Sequence, residues 1–550
     1  METRPWLKHY PAGIPANINP DNYNSLISFA KAKMKEYAPL TVYTFMGKTM
    51  TYQQLADYSD HFAAYLQSRG LKPGDRIALM MPNLLQYPVA IFGALKAGII
   101  LVNVNPLYTP RELEFQLKDS GAKAIVIAEN FAHTLEKVIA NTQIEIIITT
   151  TIGELLGGLK GTLVNFVIKY VKGMVPKFNL SNVEKFSGAI EQGKKFKVID
   201  HEGKPEDVIC LQYTGGTTGV SKGTMLTNRN LVSNMEQIKA VLCYYLEERK
   251  ETALSPLPMY HIFAFAVNVL AMMSIGANTV LIVNAKDLGS VVKAFKEYPI
   301  SLMTGVNTLY NALLNYPGFS EINFKTLKTS VAGGMALQTA VAERWKQVTG
   351  TPLVEGFGMT ETSPVVSINP VDGSGKVGTV GYPVPSTDVK LVNEQGLVCN
   401  VGEAGELLVQ GPQVMKGYYN RPDETAKTIK DGWLYTGDVA IMDTEGFIKI
   451  VDRKKDMILV SGFNVYPNEI EDVLAQHPKV LEVAAVGSKD EKSGEVVKVF
   501  IVKKDQSLTA EEIINFAKSQ LTNYKVPKLV EFKESLPKTN VGKILRRELK

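Results

Sequence analysis

The 550-residue sequence contains only three cysteines, Cys210, Cys243 and Cys399, which lie far apart. An odd number at this spacing does not fit a disulfide scaffold and favours a reducing compartment. There is no CxxC pair or His/Cys cluster, so a zinc site is not predicted. Long apolar runs are also missing, because Val89–Val104 and Val267–Val283 are interrupted by Lys, Gly or Asn. We predict that both segments are buried core elements.

The chain also lacks a strong charge of one sign and an apolar leader. Its formal net charge is +5, which is small for 60 Lys and Arg against 55 Asp and Glu and does not favour a nucleic-acid partner. The stretch METRPWLKHYPAGIPANINP carries charge and proline early, unlike a secretory signal. We therefore expect a cytoplasmic protein. Peripheral attachment to the cytoplasmic face of the inner membrane stays open.

The sequence does contain a regular alternation of segments with helical and strand periodicity. Because each apolar strand is followed by a helical segment, the pattern predicts a layered α/β fold with parallel strands. The predicted helices are Thr51–Arg69 and Gln86–Ala97, and the predicted strands are Ile77–Met81, Ile99–Val104, Lys123–Ala128, Ile144–Thr150 and Val208–Leu211.

The chain is too long for one hydrophobic core, since domains usually span roughly 50–250 residues. The charged stretch Asp452–Asp456 precedes a unit of about a hundred residues, which is enough for a small domain. We predict a large N-terminal domain of several subdomains over residues 1–452, a hinge at 453–456 and a small mobile α/β domain over 457–550. In the small domain, Pro467–Gln476 and Thr509–Leu521 are predicted helices, and Val480–Val486 and Val496–Val502 are predicted strands.

The segment from Ile152 to Lys177 departs from this pattern. Its apolar residues recur at helical spacing among Lys160, Lys169 and Lys172. The simpler interpretation is a surface helix packed on the core. The alternative is a basic amphipathic helix that docks on a membrane surface, which would suit a lipid substrate.

The strongest local signal is the segment YTGGTTGVSKG from Tyr213 to Gly223, which follows a predicted strand. Glycines let the backbone approach an anion, while N–H groups, threonine hydroxyls and Lys222 neutralise phosphate charge. A Walker loop is disfavoured, because it needs glycine directly before the lysine and a hydroxyl residue directly after it. The segment therefore predicts a phosphate-binding loop of another kind.

Two further pattern matches have the wrong context. Gly373–Gly378 fits GxGxxG, but prolines and glycines follow it instead of a helix, so we predict a loop. Gly219–Gly223 fits the esterase pattern GxSxG, but a glycine- and threonine-rich loop separates Ser221 from its strand. We interpret Ser221 as part of the phosphate loop.

The glycine-rich segment YTGGTTGVSKGTMLTNRN resembles the phosphate-loop signature of the adenylate-forming superfamily of acyl-CoA synthetases, luciferases and peptide-synthetase adenylation domains. Other motifs follow in that family's order: GFGMTE at 356–361, YTGD at 435–438, DRKKD at 452–456 and PKTNVGK at 537–543. An ordered set of this kind makes coincidence a poor explanation. Residues 431–471 are moreover very similar to bacterial long-chain fatty-acid CoA ligases.

The resemblance implies ATP, coenzyme A and a fatty acid as substrates, with Mg²⁺ as cofactor. ATP would convert the carboxylate to an acyl adenylate, because oxide is a poor leaving group, and the acyl group would then pass to coenzyme A. Thr360 is implied to contact the α-phosphate, Glu361 to place Mg²⁺, and Asp438 with Arg453 to bind the ribose. The implied ATP-binding residues are Thr214, Gly215, Gly216, Thr217, Thr218, Gly219, Lys222, Gly333, Gly334, Glu355, Gly356, Phe357, Asp438 and Arg453.

The C-terminal motifs carry further implied roles. Lys543 would bridge the substrate carboxylate and the α-phosphate during adenylation, and Lys455 matches the hinge about which the family rotates its C-terminal domain. After rotation, Ser461, Gly462 and Phe463 would approach the pantetheine arm of coenzyme A. At the acyl end, the resemblance places His261 beside the carboxylate and Phe265 near the gate of an acyl tunnel.

Several alternatives stay open. The chain could stop at the adenylate and load a carrier protein, activate a short or aromatic acid, or support light emission. A different class would be a non-catalytic, membrane-associated acyl-binding protein built on the same scaffold. The sequence leaves open whether the chain forms a homodimer.

Overall fold

A computed structural model describes residues 4–214 and 221–550, and these residues form four β-sheets with helices packed against them. The two larger sheets are mostly parallel, as the predicted α/β class requires. The α-helices are Leu26–Glu36, Tyr52–Ser68, Gln86–Lys96, Pro110–Ser120, Ala132–Glu136, Gly158–Phe166, Phe186–Gly193, Asn228–Leu242, Ile262–Ala264, Met272–Ser274, Leu288–Glu297, Asn307–Leu314, Thr339–Thr349, Pro422–Thr428, Pro467–Ala475 and Ala510–Gln520.

The first sheet carries the glycine-rich segment. Lys222–Thr227 runs antiparallel to Val208–Thr214, so the glycine-rich segment connects two paired strands. The strands of the first sheet, in spatial order, are Gly417–Tyr418, Lys222–Thr227, Val208–Thr214, Ile100–Asn103, Arg76–Met80, Ala124–Ala128, Ile146–Thr150 and Val183–Lys185.

The second sheet brings the GFGMTE segment beside two other strand ends. Leu302–Gly305, Thr329–Ala332 and Leu353–Gly358 are parallel neighbours, so their carboxyl ends lie along one edge. In open parallel sheets this edge is where ligands bind. The strands in spatial order are Tyr382–Pro383, Val365–Ile368, Leu353–Gly358, Thr329–Ala332, Leu302–Gly305, Thr252–Ser255, Asn278–Leu281, Thr41–Phe45 and Lys48–Thr51.

The third and fourth sheets are smaller and lie on either side of the predicted hinge. Of the predicted hinge residues 453–456, Arg453 ends the last strand of the third sheet and 454–456 form the turn that joins the two sheets. The third sheet contains Asp388–Val392, Gly405–Gln410, Trp433–Met442, Ile429–Lys430 and Ile448–Arg453, and the fourth contains Phe463–Val465, Ile458–Val460, Gly494–Lys503, Val480–Asp490 and Leu529–Phe532.

Residues beyond the hinge have a hydrophobic core of their own. Ile458, Val465, Ile470 and Leu474 are buried against one another and against the strands of the fourth sheet. We call residues 457–550 the C-terminal unit.

Most predicted elements are observed within two residues of their expected ends. Two predicted strands are too short: the one from Val208 continues to Thr214, and the one from Val480 continues to Asp490. Both extensions are polar, which is why the apolar pattern missed them. Backbone pairing continues each strand, with Lys222–Thr227 in the first case and Gly494–Lys503 in the second.

The basic segment folds as the helix Gly158–Phe166 followed by a π-helical turn, Val167–Val171. On its inner side, Val164 and Ile168 pack against the hydrophobic core, Gly161 lies against Gly153, and Asn165 Oδ1 accepts a hydrogen bond of 2.8 Å from the Gly153 N–H. Its outer side is apolar, with the following exposed residues: Leu159, Leu163, Phe166, Tyr170, Val171 and Met174. In residues 4–214 and 221–550, no helix combines the length and apolar character needed to cross a membrane.

Candidate active site

The glycine-rich segment leaves the first sheet at Thr214, the last residue of its strand. The hydroxyl of Ser221 donates a hydrogen bond of 2.7 Å to the Thr214 carbonyl. This bond joins the two ends of the segment, so the hydroxyl closes the base of the loop. The predicted phosphate-binding residues Gly215, Gly216, Thr217, Thr218 and Gly219 lie outside the described residues.

Lys222 begins the strand after the loop, and its ammonium group forms an ion pair with Glu424. Hydrogen bonds from Lys222 and then Lys427 lower the pKa of Glu424 to about 2. The Lys222 nitrogen also lies 5.0 Å from the ring centroid of Tyr418. An anionic ligand that binds Lys222 must therefore compete with Glu424.

Thr360 and Glu361 lie in the short 3₁₀ turn Thr360–Thr362, directly after the strand that ends at Gly358. The Glu361 carboxylate is buried and accepts a hydrogen bond of 2.7 Å from the Tyr418 hydroxyl. Burial and the Glu361 charge raise the pKa of Tyr418, which therefore stays a donor at neutral pH. Tyr418 thus connects Glu361 with Lys222, two residues that were predicted separately.

Asp438 and Arg453 face each other on paired strands of the third sheet. Arg453 Nε lies 3.1 Å from Asp438 Oδ1. Burial raises the pKa of Asp438, while the Arg453 charge opposes that shift. Asp438 Oδ2 is buried and has no hydrogen-bond partner within residues 4–214 and 221–550. A buried carboxylate oxygen without a donor is costly, so this atom is suited to accept a bond from a ligand hydroxyl.

Gly333 and Gly356 lie at the ends of neighbouring parallel strands. A Cβ at Gly333 would lie 3.1 Å from the Phe263 ring and 3.4 Å from the Gly356 carbonyl, which leaves little room for a side chain. Gly334 has φ +78°, a conformation that favours glycine. The partly exposed Phe357 follows Gly356 on the same edge. This edge therefore keeps a bare backbone surface on which a flat ligand can lie.

Glu355 turns away from that surface and into the protein. Its carboxylate accepts a hydrogen bond of 3.0 Å from the Leu337 N–H. Burial raises the pKa of Glu355 to about 8, so the group is mostly protonated at neutral pH. Its observed contact orders the segment after Gly334.

Lys543 approaches the site from the C-terminal unit. It follows Gly542, which has φ +86° and whose carbonyl accepts a hydrogen bond of 2.9 Å from the Thr308 hydroxyl. Burial and the charge of Arg453 lower the pKa of Lys543 to about 8, and Asp438 partly opposes this. Lys543 is therefore within electrostatic reach of both members of the Asp438–Arg453 pair.

His261 lies within electrostatic reach of Lys543 and caps a short helix. Its Nδ1 accepts a hydrogen bond of 3.4 Å from the Phe263 N–H. Burial, followed by the Lys543 charge, lowers the pKa of His261 to about 4. The imidazole is therefore neutral at pH 7. Phe265 is fully buried and begins the π-helical segment Phe265–Ala271.

The residues implied to contact coenzyme A do not join this cluster. Ser461 and Gly462 form the turn between two short strands, with φ of 52° and 85°. Phe463 is 55% exposed and stacks on Tyr524 of the same C-terminal unit, with ring centroids 4.7 Å apart. Lys455 lies in the hinge turn, where burial lowers its pKa. In this arrangement Lys543 occupies the site and the 461–463 turn does not.

Sequence reasoning missed Tyr418 and Glu424. Neither belongs to one of the ordered motifs, and Glu424 has the form of an ordinary acidic residue in the first turn of helix Pro422–Thr428. The sequence carries no signal that pairs it with Lys222, because 202 positions separate the two.

Comparisons with known proteins find relatives that match nearly the whole chain. A long-chain-fatty-acid–CoA ligase of Escherichia coli O157:H7 is 56% identical over 546 residues, which are 99% of this chain and 97% of that protein. A long-chain-fatty-acid–CoA ligase of Haemophilus influenzae is 50% identical over 99% of this chain and 98% of its own length. A feruloyl-CoA synthase of an Amycolatopsis species is 33% identical over 94% of this chain and 97% of its own length.

Solved structures share the fold over nearly the whole chain. An ATP-bound RpMatB-BxBclM chimera has a TM-score of 0.81 at 26% identity and covers 95% of this chain and 98% of its own. An anthranilate CoA ligase in complex with anthranoyl-AMP has a TM-score of 0.86 at 24% identity, covers 97% of this chain and 98% of its own, and supports the fold. Residues 30–419 match the AMP-binding enzyme family and residues 469–543 match the AMP-binding enzyme C-terminal domain. The chain therefore belongs to the family of AMP-binding enzymes.

Proposed function

We propose that this enzyme ligates long-chain fatty acids to coenzyme A. In the first step a carboxylate oxygen attacks the α-phosphorus of ATP, the bond to the β-phosphate oxygen breaks, and acyl-AMP and pyrophosphate result. In the second step the thiolate of coenzyme A attacks the acyl carbon and AMP leaves. The observation that carries the proposal is the cluster of Lys543, His261, Asp438 and Arg453, in which the Lys543 cation lies within electrostatic reach of Asp438, whose buried Oδ2 has no partner among the described residues.

Each residue of this cluster would have a separate role in adenylation. Asp438 Oδ2 would accept hydrogen bonds from the ribose hydroxyls, with Arg453 holding the carboxylate in place. Lys543 would neutralise charge between the carboxylate and the α-phosphate, where negative charge concentrates as the new bond forms. Neutral His261 would lie beside the carboxylate without adding charge.

The phosphate end belongs to the first sheet and its neighbours. Lys222 would exchange Glu424 for the β- and γ-phosphates, and Thr360 would contact the α-phosphate. Gly333, Gly334 and the 355–357 edge would flank adenine. Thr214 and the adjoining glycines and threonines would enclose the phosphates.

Mg²⁺ fits this site as an ion shared with the nucleotide. Within the described part of the chain, no group of three or more His, Cys, Asp or Glu side chains could hold a metal. Glu361 supplies one buried carboxylate, and Mg²⁺ commonly takes one or two carboxylates together with phosphate oxygens. Bound there, the ion would neutralise phosphate charge. Tyr418 would keep the Glu361 carboxylate in position.

The second step requires a different arrangement of the two units. We propose domain bounds of 1–452 and 457–550, with rotation about the turn 453–456 at Lys455. Rotation would withdraw Lys543 and bring Ser461, Gly462 and Phe463 to the pantetheine arm, with Gly462 leaving room for the thiol. The separate core of the C-terminal unit supports its movement as a rigid body.

The acyl group would pass His261 and enter the apolar interior near Phe265. Each methylene taken out of water contributes about 0.8 kcal/mol, so the length of the channel sets the chain preference. Replacing Phe265 with Ala should change the profile of accepted acids more than the KM for ATP.

The direct test measures pyrophosphate and acyl-CoA with Mg-ATP and fatty acids of increasing length, with and without coenzyme A. Lys543→Ala is compared with Lys518→Ala, which removes an exposed lysine of the C-terminal unit. We expect long-chain acids to give both products, and only Lys543→Ala to abolish them. Pyrophosphate without acyl-CoA would indicate an adenylate-stopping enzyme that loads a carrier. No turnover with any acid would favour a non-catalytic acyl-binding protein.

We further propose that the enzyme docks peripherally on the cytoplasmic face of the inner membrane through the helical segment 158–174. Leu159, Leu163, Phe166 and Tyr170 form one exposed stripe, with Leu159 90% exposed. Val164 and Ile168 of the same segment pack on the core, so the segment is apolar on both sides, whereas an ordinary surface helix turns a polar side to solvent. Lys169 and Lys172 on the same segment can attract anionic headgroups. A docked enzyme would take its substrate from the lipid phase.

Vesicle sedimentation tests this surface. Leu163→Ser with Phe166→Ser should reduce binding to anionic vesicles by about tenfold or more per residue, because each side chain loses its burial in the bilayer. Lys169→Ala with Lys172→Ala should reduce binding to anionic vesicles and leave binding to neutral vesicles unchanged. The control is Leu397→Ser, which removes a 65% exposed leucine in the connection between strands Asp388–Val392 and Gly405–Gln410. Unchanged binding of both double variants would exclude this surface as the membrane contact.

Homodimer formation stays a prediction, and light scattering measures it directly.

A further inference from the structure

The segment that joins Gly334 to the helix Thr339–Thr349 is held by side chains from three different places. The backbone N–H of Leu337 donates to Glu355 at 3.0 Å, that of Gln338 to Asn307 at 3.0 Å, and that of Thr339 to Asp472 at 2.9 Å. Successive donors at a helix N-terminus lack partners within the helix, so each needs an outside acceptor. Here the last acceptor belongs to the C-terminal unit.

Asp472 makes a two-point contact with Thr339. Its Oδ1 accepts from the Thr339 N–H, and its Oδ2 accepts from the Thr339 hydroxyl at 3.2 Å. Gln338, the N-cap residue of this helix, makes no side-chain cap bond. A carboxylate from another unit therefore serves as the cap, with additional favourable interaction from the helix dipole.

The position of Asp472 makes it separable from the fold of its own unit. It lies on the helix Pro467–Ala475, whose Ile470 and Leu474 side chains enter the core of the C-terminal unit. Asp472 itself is half-exposed and faces the other unit. Removing its carboxylate thus leaves that core intact.

The same interface holds the loop of Lys543. The Thr308 hydroxyl bonds to the Gly542 carbonyl at 2.9 Å, and the adjacent Asn307 makes a reciprocal pair of 3.0 Å bonds with Gln338. One continuous set of contacts therefore runs from the Gly334 edge through Gln338 and Asn307 to the turn before Lys543. Asp472 adds the only carboxylate that the C-terminal unit contributes to these bonds.

We propose that Asp472 is a positioning residue that selects the arrangement of the two units used for adenylation, by capping the helix that begins at Thr339. It acts through Lys543, which enters the site only when the C-terminal unit is docked in this way. Because the capped segment also borders the proposed adenine surface, an ordered nucleotide site favours the docked arrangement. The inference rests on the proposed two-step function.

Separate measurement of the two half-reactions distinguishes a positioning role of Asp472 from a purely structural one, which would affect both. Adenylation is measured as single-turnover acyl-AMP formation, and thioester formation as the reaction of supplied acyl-AMP with coenzyme A. Asp472→Ala should slow adenylation by about fivefold, the effect of losing one cap, and leave thioester formation unchanged or faster. Asp472→Asn keeps an acceptor and should recover part of the loss.

A second variant removes the donor from the other unit. Thr339→Pro eliminates both the N–H and the hydroxyl, and proline is well tolerated as the first residue of a helix. Gln338 already has the extended conformation that a residue before proline prefers. If the two residues act through one contact, Asp472→Ala combined with Thr339→Pro should be no worse than the stronger single variant.

The control is Glu511→Ala, which removes an exposed acid from the other helix of the C-terminal unit and should change neither rate. Equal loss in both half-reactions, or additive effects of Asp472→Ala and Thr339→Pro, would overturn the proposal. Absence of acyl-AMP with the unaltered enzyme would instead contradict the proposed function. Thermal unfolding of every variant shows that the fold is retained.

Discussion

The phosphate end and the Lys543 end of the site differ in how their charges are satisfied. At the phosphate end, Lys222 pairs with Glu424 and Glu361 accepts from Tyr418, so the protein supplies its own partners. At the other end, Asp438 keeps a buried oxygen without a partner, and Lys543 has a lowered pKa. A ligand that binds Lys222 must therefore displace Glu424, whereas a ligand that binds Asp438 supplies the hydrogen bond that its buried oxygen lacks.

The construction of the two ends explains this difference. At the phosphate end, both described contacts, Lys222 with Glu424 and Glu361 with Tyr418, join residues that precede the C-terminal unit. The Lys543 end is assembled from residues on both sides of the predicted hinge, with Asp438 before it, Arg453 at its first position and Lys543 in the C-terminal unit. Polar groups that come together only when the two units are docked can lack hydrogen-bond partners until a bound substrate stabilises the docked arrangement.

The largest expected effect comes from breaking the unsatisfied end at Asp438. Asp438→Ala should lower kcat/KM for ATP by about a hundredfold, since hydrogen bonds to a charged group contribute roughly 1.5–3 kcal/mol and Arg453 loses its partner. Steady-state kinetics with Mg-ATP measures it. The control is Glu394→Ala, an exposed acid on the same sheet. An unchanged KM for ATP would remove Asp438 from the nucleotide site.

The next largest effect is the pH dependence that Lys543 should give to adenylation. Lys543 must be protonated to neutralise phosphate, and its pKa is about 8 in the free enzyme, lowered from the ordinary value of 10.5. As pH rises through 8 the charged form is lost, so kcat/KM for adenylation should fall by about tenfold per pH unit above that value. Lys543→Arg should move this limb to higher pH. If the fall in kcat/KM stays at the same pH in Lys543→Arg, a group other than Lys543 causes it.

The smallest effect concerns the phosphate end. Glu424→Gln removes the carboxylate that competes for Lys222, so KM for ATP should fall by about threefold, a modest change because the pair is partly exposed. The matched control is Asp423→Asn, the exposed neighbour on the same helix. A rise in KM would show that Glu424 positions Lys222 for the nucleotide and does not compete with it.

Some features followed from the sequence because they depend on short windows of chain. The α/β class came from local periodicity, and Lys222 came from a glycine- and threonine-rich segment suited to phosphate. Glu361, Asp438 and Lys543 came from motifs that resemble those of the adenylate-forming superfamily. The family came from the order of those motifs. The helix predicted over Thr51–Arg69 is observed at Tyr52–Ser68, where Thr51 and Gln54 form a capping box at its start.

Other features were decided only by the tertiary structure. Tyr418 lies 57 positions from Glu361, Glu424 lies 202 from Lys222, and Asp472 lies 133 from Thr339. No local pattern records such pairs, because sheet register and the docking of two units bring them together. The helix Gly158–Phe166 shows the same limit: its periodicity was visible in the sequence, but which apolar residues face the core and which face solvent depends on how Val164 and Gly161 pack against the rest of the chain. The sequence by itself thus determined the chemistry available to this protein, and the tertiary structure decided which groups meet, which stay unsatisfied and which face solvent.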